Sequence, residues 1–241
     1  FAAAAKAGFR GVEYQFPYPF GSAREIGGYA RDAGVEVVLH NLPAGDASKG
    51  DRGVTCQPGR SNEFREGVER AIEYAQAAGC PRLNTLAGIA PAGVPRQKVN
   101  ETLIENLRFA AGKLKAAGLT LLTEPCNPRT IPGFFLNTSK EGIEALDAAG
   151  ADNLLLQYDV FHMQIVEGDL AKTIERLLPR IGHVQIADQV VIVRAQLVVH
   201  LVPSRVALLV PDLDLFLEFL GDGHALFIQQ FDGHGREALI E

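Results

Sequence analysis

Cysteine is scarce in this 241-residue chain, which carries three: Cys56, Cys80 and Cys126. Three thiols cannot pair completely and no two share a CxxC spacing, so neither a disulfide framework nor a thiolate zinc site is expected, and a reducing cytoplasm is the simplest address. Long apolar runs are missing as well. Val190 to Val193 and Leu197 to Val202 are broken by Arg194, His200 and Pro203, well short of the roughly 18 residues that a membrane span requires. Nor is positive charge in excess: 23 Lys and Arg against 29 Asp and Glu leave a formal net charge of −6, which offers no general attraction to nucleic acid or to an anionic bilayer. The opening FAAAAKAGFRG lacks an initiator methionine and a signal peptide. It reads as the second half of an amphipathic helix ending at Gly8, and so as a cut N-terminus.

What the chain does have is 47% hydrophobic and 22% charged residues, a balance suited to one large globular domain or two small ones. Short apolar runs alternate with helical patterns. Strands are expected at Gly11 to Phe16, Val35 to Leu42, Arg82 to Ala87, Leu119 to Thr123, Leu154 to Asp159 and His183 to Ala187. Helices are expected at Ala23 to Ala33, from a Ser61 N-cap to Ala78, and at Gln97 to Ala117, Thr138 to Ala149 and Leu170 to Leu178, with Gly34, Gly79 and Gly118 as stops. A regular βα series of this length predicts an α/β fold of the TIM-type (β/α)₈ barrel kind, with an open doubly wound sheet as the alternative.

The composition changes after residue 188. The last 53 residues contain no Lys, Asn, Thr or Tyr, while Val and Leu supply 8 and 10 of them. The chain therefore divides into a regular portion, 1–188, and a divergent tail, 189–241, in the position of the last barrel units. A helix at Leu213 to Leu220 and a strand at Ala225 to Phe231 would suit a barrel's closing unit. A sequence that has drifted or shifted frame accounts for the tail equally well.

Three polar residues sit at the C-terminal ends of expected strands: Glu124 in LTLLTEPCN, Asp159 in LLLQYDVFHMQ and Gln185 in GHVQIAD. Strand ends converge on one mouth of a (β/α)₈ barrel, so residues this far apart can share a ligand. Carboxylate and carboxamide oxygens favour a hard divalent cation, Mg²⁺ or Mn²⁺, over a thiolate-bound metal. An Asp after a strand is also a common helix cap, and a lone Gln is commonly a satisfied polar group. Pro125 biases Glu124 toward an extended backbone and would aim its carboxylate.

His162 and His183 stand close in sequence to Asp159 and Gln185, where a neutral imidazole could orient a substrate hydroxyl, or could simply be a buried histidine bonded to a carbonyl. His40 to Arg60 is long and glycine-rich, as ordered loops over sites often are. Its ends supply two more substrate-binding candidates, His40 and Arg60, the latter a guanidinium fork suited to a carboxylate or else an ordinary helix-start residue. Cys126 reads best as a small buried hydrophobe.

The segments FRGVEYQFPY, HNLPAGD, RGVTCQPGR, EFREGVERAIEYAQAAGC, ENLRFAAGKL, LLTEPCN, PGFFLNT, LQYDVFHMQIVEGDL and IGHVQIAD, in this order over residues 1–188, resemble the bacterial hydroxypyruvate isomerases of the xylose-isomerase-like TIM barrels. That resemblance implies interconversion of hydroxypyruvate and tartronate semialdehyde, a small hydroxy-keto acid substrate, and a divalent metal held by a Glu, an Asp, a Gln and a second Glu. Glu124, Asp159 and Gln185 match the first three, and Glu124 with the second Glu would move the proton across an enediolate. It also implies that a first barrel strand precedes the opening half-helix. The family's loop and GEIN segment after QIAD are replaced here by QVVIVRAQLVV. In place of the second Glu the last expected strand offers Gln229 and Gln230, which cannot act as bases; Glu218 is expected on a helix and Glu237 near the end. Another keto-acid or keto-sugar isomerase, and an inactive ligand-binding remnant, are the alternatives. An oligomer is compatible with all of them.

Overall fold

The computed structural model describes residues 1–188 and the backbone of three later strands, Val206–Leu209, Phe216–Phe219 and Leu226–Gln230. Six parallel strands run in sequence order: β1 (Gly11–Tyr14), β2 (Glu36–Asn41), β3 (Arg82–Leu86), β4 (Thr120–Glu124), β5 (Leu154–Asp159) and β6 (Ile181–Asp188). The helices between them are α2 (Ala23–Ala33), α3 (Ser61–Ala78), α4 (Arg96–Ala116), α5 (Ser139–Ala149), α6 (Val160–Val166) and α7 (Leu170–Leu177), preceded by the short α1 (Ala2–Lys6). This is a parallel half-barrel of the TIM type. Among the described residues no helix is long and apolar enough to cross a membrane.

Local chemistry accounts for the punctuation. Ser22 accepts from the Glu25 amide while the Glu25 carboxylate accepts from the Ser22 amide, a reciprocal cap that starts α2. Gly34, Gly79 and Gly150 end α2, α3 and α5 in the left-handed region, where a side chain would be strained. Along α4, Val99, Leu103, Leu107, Ala110 and Leu114 are all buried, a stripe at helical spacing that seats the helix on the outer face of the sheet.

Two boundaries depart from expectation. Ser61 is the first residue of α3 and Arg60 holds the N-cap position without a side-chain capping bond. Helix α6 was not expected; it begins directly at the end of β5, with Asp159 as its N-cap. The segment expected to be helical at Leu213 to Leu220 contains instead the strand β8 (Phe216–Phe219), paired antiparallel with β7 (Val206–Leu209). Periodicity over eight residues cannot separate strand from buried helix, and backbone pairing decides. Glu218 is therefore on a strand. The strand β9 (Leu226–Gln230) adds in parallel to β6, with Gln229 opposite Ala187 and Gln230 opposite Asp188. Glu237, and all else of the tail, lies outside the described residues.

Helices α2 and α3 approach so closely that a Cβ on Gly27 would lie 2.1 Å from the Ala77 carbonyl oxygen. Gly27→Leu is expected to destabilise the fold by about 1–3 kcal/mol, because a backbone atom cannot retreat as a side chain can. Urea unfolding measures it, and an unchanged midpoint would mean that the two helices slide apart without cost.

Candidate active site

Strand parity builds the site. Residues i and i+2 of a strand share a face, and the inward face presents Glu13 from β1, Asn41 from β2, Asn84 from β3, Glu124 from β4, Gln157 and Asp159 from β5, and His183 and Gln185 from β6. One hydrogen-bonded thread joins most of them. The Asn84 amide donates to Asn41 Oδ1 (3.1 Å) and to Glu124 Oε2 (2.9 Å). The Gln157 amide donates to the same Glu124 Oε2 (2.8 Å) and to Gln185 Oε1 (2.7 Å). Gln185 Nε2 in turn donates to Glu13 Oε1 (2.5 Å), and Glu13 Oε2 lies 2.6 Å from His183 Nε2.

His162, one turn into α6, faces the other side of Glu124. Its Nδ1 lies 3.2 Å from the Asn127 backbone nitrogen and 2.7 Å from Asn127 Nδ2. A backbone N–H can only donate, so Nδ1 is the acceptor. The Asn127 amide is itself oriented, because its Oδ1 accepts from the backbone nitrogens of Arg129 and Thr130. Burial lowers the His162 pKa to about 4, so the ring is neutral and its one proton sits on Nε2. That Nε2–H looks toward Glu124 Oε1 at 3.9 Å and Asp159 Oδ2 at 3.8 Å, too far for a hydrogen bond.

Both carboxyls are pushed toward the protonated form. Glu124, 6% exposed, is raised well above the usual carboxylate range by burial first and then by the Asp159 charge, against the opposing help of the Asn84 and Gln157 amides. Asp159 is raised to about 7, chiefly by burial, although its Oδ1 accepts from the Phe161 backbone nitrogen as the cap of α6. It therefore serves as a helix cap through one oxygen while the other faces the site. Among the described residues the basic side chains beside the Glu13, Glu124 and Asp159 carboxyls are histidines, with no Lys or Arg among them.

Such a group suits a hard divalent cation. Two carboxyls are buried side by side, and the buried amide oxygens Asn84 Oδ1 and Gln157 Oε1 have no hydrogen-bond partner among the described residues, which leaves acceptors in surplus. Glu124, Cys126 and His162 also bring one ligand atom each within 4.8 Å of one another. Burial and the charges of Glu124 and Asp159 raise the Cys126 thiol well above its ordinary value, however, and His162 Nε2 carries a proton. Oxygen is thus the donor chemistry on offer.

Two candidates from the loop segment stand elsewhere. His40 is buried on the opposite face of β2 from Asn41, its ring packed 6.0 Å from Tyr18 and 6.3 Å from Tyr14; alternation along the strand sends His40 away from the site and its neighbour into it. The Arg60 guanidinium forks onto both oxygens of Asp51 at 2.8 Å and onto both oxygens of Glu63 at 2.7 Å, so its donors fasten the loop to the start of α3. Gly53, at φ +117, sits where a Cβ would meet the Leu86 carbonyl oxygen at 2.3 Å, and the Thr55 and Thr85 hydroxyls are 2.8 Å apart. The loop is pinned along the end of β3 rather than standing free.

Sequence reasoning missed Glu13, Asn41, Asn84, Asn127 and Gln157. The last was within reach: it precedes Asp159 by two on the same strand, as His183 precedes Gln185.

A model of the xylose isomerase-like TIM barrel family matches residues 1–225. The hydroxypyruvate isomerase of Escherichia coli is 46% identical over 188 residues, covering 78% of this chain and 72% of that protein. The 2-oxo-tetronate isomerase of Cupriavidus necator is 44% identical over 187 residues, with coverage of 78% and 72%. Among solved structures, an AP endonuclease, family 2, from Brucella melitensis aligns with a TM-score of 0.74 at 41% identity, over 77% of this chain and 71% of that one.

Proposed function

The chain belongs to the xylose isomerase-like TIM barrel family, and on that premise we propose that it is a keto-acid isomerase interconverting hydroxypyruvate and tartronate semialdehyde. The observation that carries this reading is Glu124: a buried carboxylate with one oxygen fixed by two amides and the other facing a neutral His162. The reaction moves one proton from C3 of hydroxypyruvate to C2 and a second from the C3 hydroxyl to the C2 oxygen, through an enediolate. A carboxyl raised toward neutrality can both take and return a proton. Glu124 removes the C3 proton and gives it back at C2, a displacement of one bond length for a base held from behind. His162 Nε2–H donates to the substrate oxygen on which charge gathers, and Asn127 keeps that proton on the reacting side.

The donor set fits Mg²⁺ or Mn²⁺ on Glu124, Asp159 and Gln185, where a divalent cation would polarise the carbonyl and hydroxyl oxygens of the substrate. Gln229 and Gln230 on β9 stand in the part of the barrel where the family's second glutamate is expected, and an amide is no base. The carbon-to-carbon proton transfer is accordingly assigned to Glu124, while the hydroxyl proton passes between the two neighbouring oxygens of the enediolate. Proton NMR of the full chain with hydroxypyruvate and Mg²⁺ or Mn²⁺ tests the reading: signals of tartronate semialdehyde are expected. Turnover of 2-oxo-tetronate without hydroxypyruvate would reassign the substrate to the reaction named for the second relative. Cation binding with turnover of neither would make the chain a binding remnant.

A further inference from the structure

We infer that Glu13 is a positioning residue that fixes which atom of Gln185 faces the shared site. The inference rests on the reading of Gln185 as a cation ligand, and it concerns orientation of the amide.

A glutamine side chain has one oxygen and one nitrogen at its end, and in the barrel either could face inward. The nitrogen cannot accept, so the 2.5 Å contact of Gln185 Nε2 with Glu13 Oε1 has the carboxyl as acceptor. On its other side, Gln185 Oε1 accepts from Gln157 Nε2 at 2.7 Å. Turning the amide over would set its oxygen against the Glu13 oxygen and its nitrogen against the Gln157 nitrogen, two repulsions in place of two bonds. Glu13 is itself held: its second oxygen lies 2.6 Å from His183 Nε2, and the residue is 8% exposed. It reaches Gln185 across the barrel interior from the opposite end of the strand order. The oxygen of Gln185 is thereby aimed at the side of Glu124, to which Gln157 is also bonded.

Mn²⁺ affinity of the full chain, followed by electron paramagnetic resonance, tests this separately from turnover. Glu13→Gln can present either end of an amide to Gln185, and is expected to weaken Mn²⁺ binding by about 10- to 100-fold. Glu13→Asp keeps a pure acceptor and is expected to retain more affinity than Glu13→Gln. In a Gln185→Glu background both ends of residue 185 are oxygens and no orientation remains to be fixed. There Glu13→Gln is expected to cost much less affinity than it does beside Gln185. Equal losses in both backgrounds, or Glu13→Asp no better than Glu13→Gln, would overturn the inference, since both are what simple damage to packing predicts. A parent chain that binds no Mn²⁺ would overturn it too. A parent that binds Mn²⁺ but leaves hydroxypyruvate unchanged would sink the isomerase reading alone.

Discussion

Glu124→Gln is expected to lower kcat by about 10²- to 10⁴-fold, the range that a positioned acid–base group supplies, with no loss of thermal stability. The shape is conserved, and the new carbonyl oxygen can still accept from Asn84 and Gln157. What disappears is the base, together with one of two buried like charges. Burial and the Asp159 charge both oppose ionisation of Glu124, so neutralising it relieves the folded state instead of harming it. The amide nitrogen would face His162 Nε2–H, donor against donor, at the 3.9 Å separation now held by Glu124 Oε1. A melting curve beside steady-state kinetics on hydroxypyruvate separates the effects. Loss of turnover with a melting temperature well below the parent's would point to structural damage, and retained turnover would move the base to another residue.

The parallel sheet was legible because its punctuation is chemical. Gly34 and Gly79 stop helices where only a residue free of a Cβ is unstrained, and β5 opens on its own leucine run, residues 154–156. Glu124 and Asp159 stood out because each is an acidic residue that closes its strand, and Gln185 because it interrupts the apolar end of β6. Glu13 did not stand out. In GVEYQF the polar residues alternate with apolar ones, which reads as a solvent face, whereas in a barrel the polar side can be the interior. For His40 the ambiguity is one of facing: alternation tells that His40 and Asn41 face opposite ways but not which of them faces inward. That the carboxylate facing the Arg60 fork is Asp51, nine residues earlier, was not legible because only the fold of the intervening loop brings the two together.

The charge arrangement also sets how stability responds to acid in the cation-free protein. Asp159 rises from an ordinary 3.8 to about 7 on folding, so between those limits the folded chain keeps a proton that the unfolded chain has lost. Its contribution is present at low pH and drains away as pH rises toward 7, at about 1.4 kcal/mol per pH unit for each fully linked proton. His40 and His162 act in the opposite sense, because burial lowers both from 6.5 to about 4; the unfolded chain binds their protons more readily below pH 6.5. The two effects offset each other in weak acid, so the parent's profile is a poor probe and the difference from a variant is a good one. Asp159→Asn keeps an oxygen for the Phe161 amide and removes the titration. In excess EDTA it is expected to gain on the parent progressively from about pH 4 to 7. Adding Mn²⁺ should narrow the variant's lead near neutrality: at about 100 times its Kd the cation stabilises the parent by about 2.7 kcal/mol, and that gain should be largely missing from the variant. Urea unfolding at several pH values, with and without Mn²⁺, reads both arms. Parallel curves for parent and variant in EDTA would show that Asp159 is ionised without strain in the folded chain, and an undiminished Mn²⁺ gain in the variant would take Asp159 out of the ligand set.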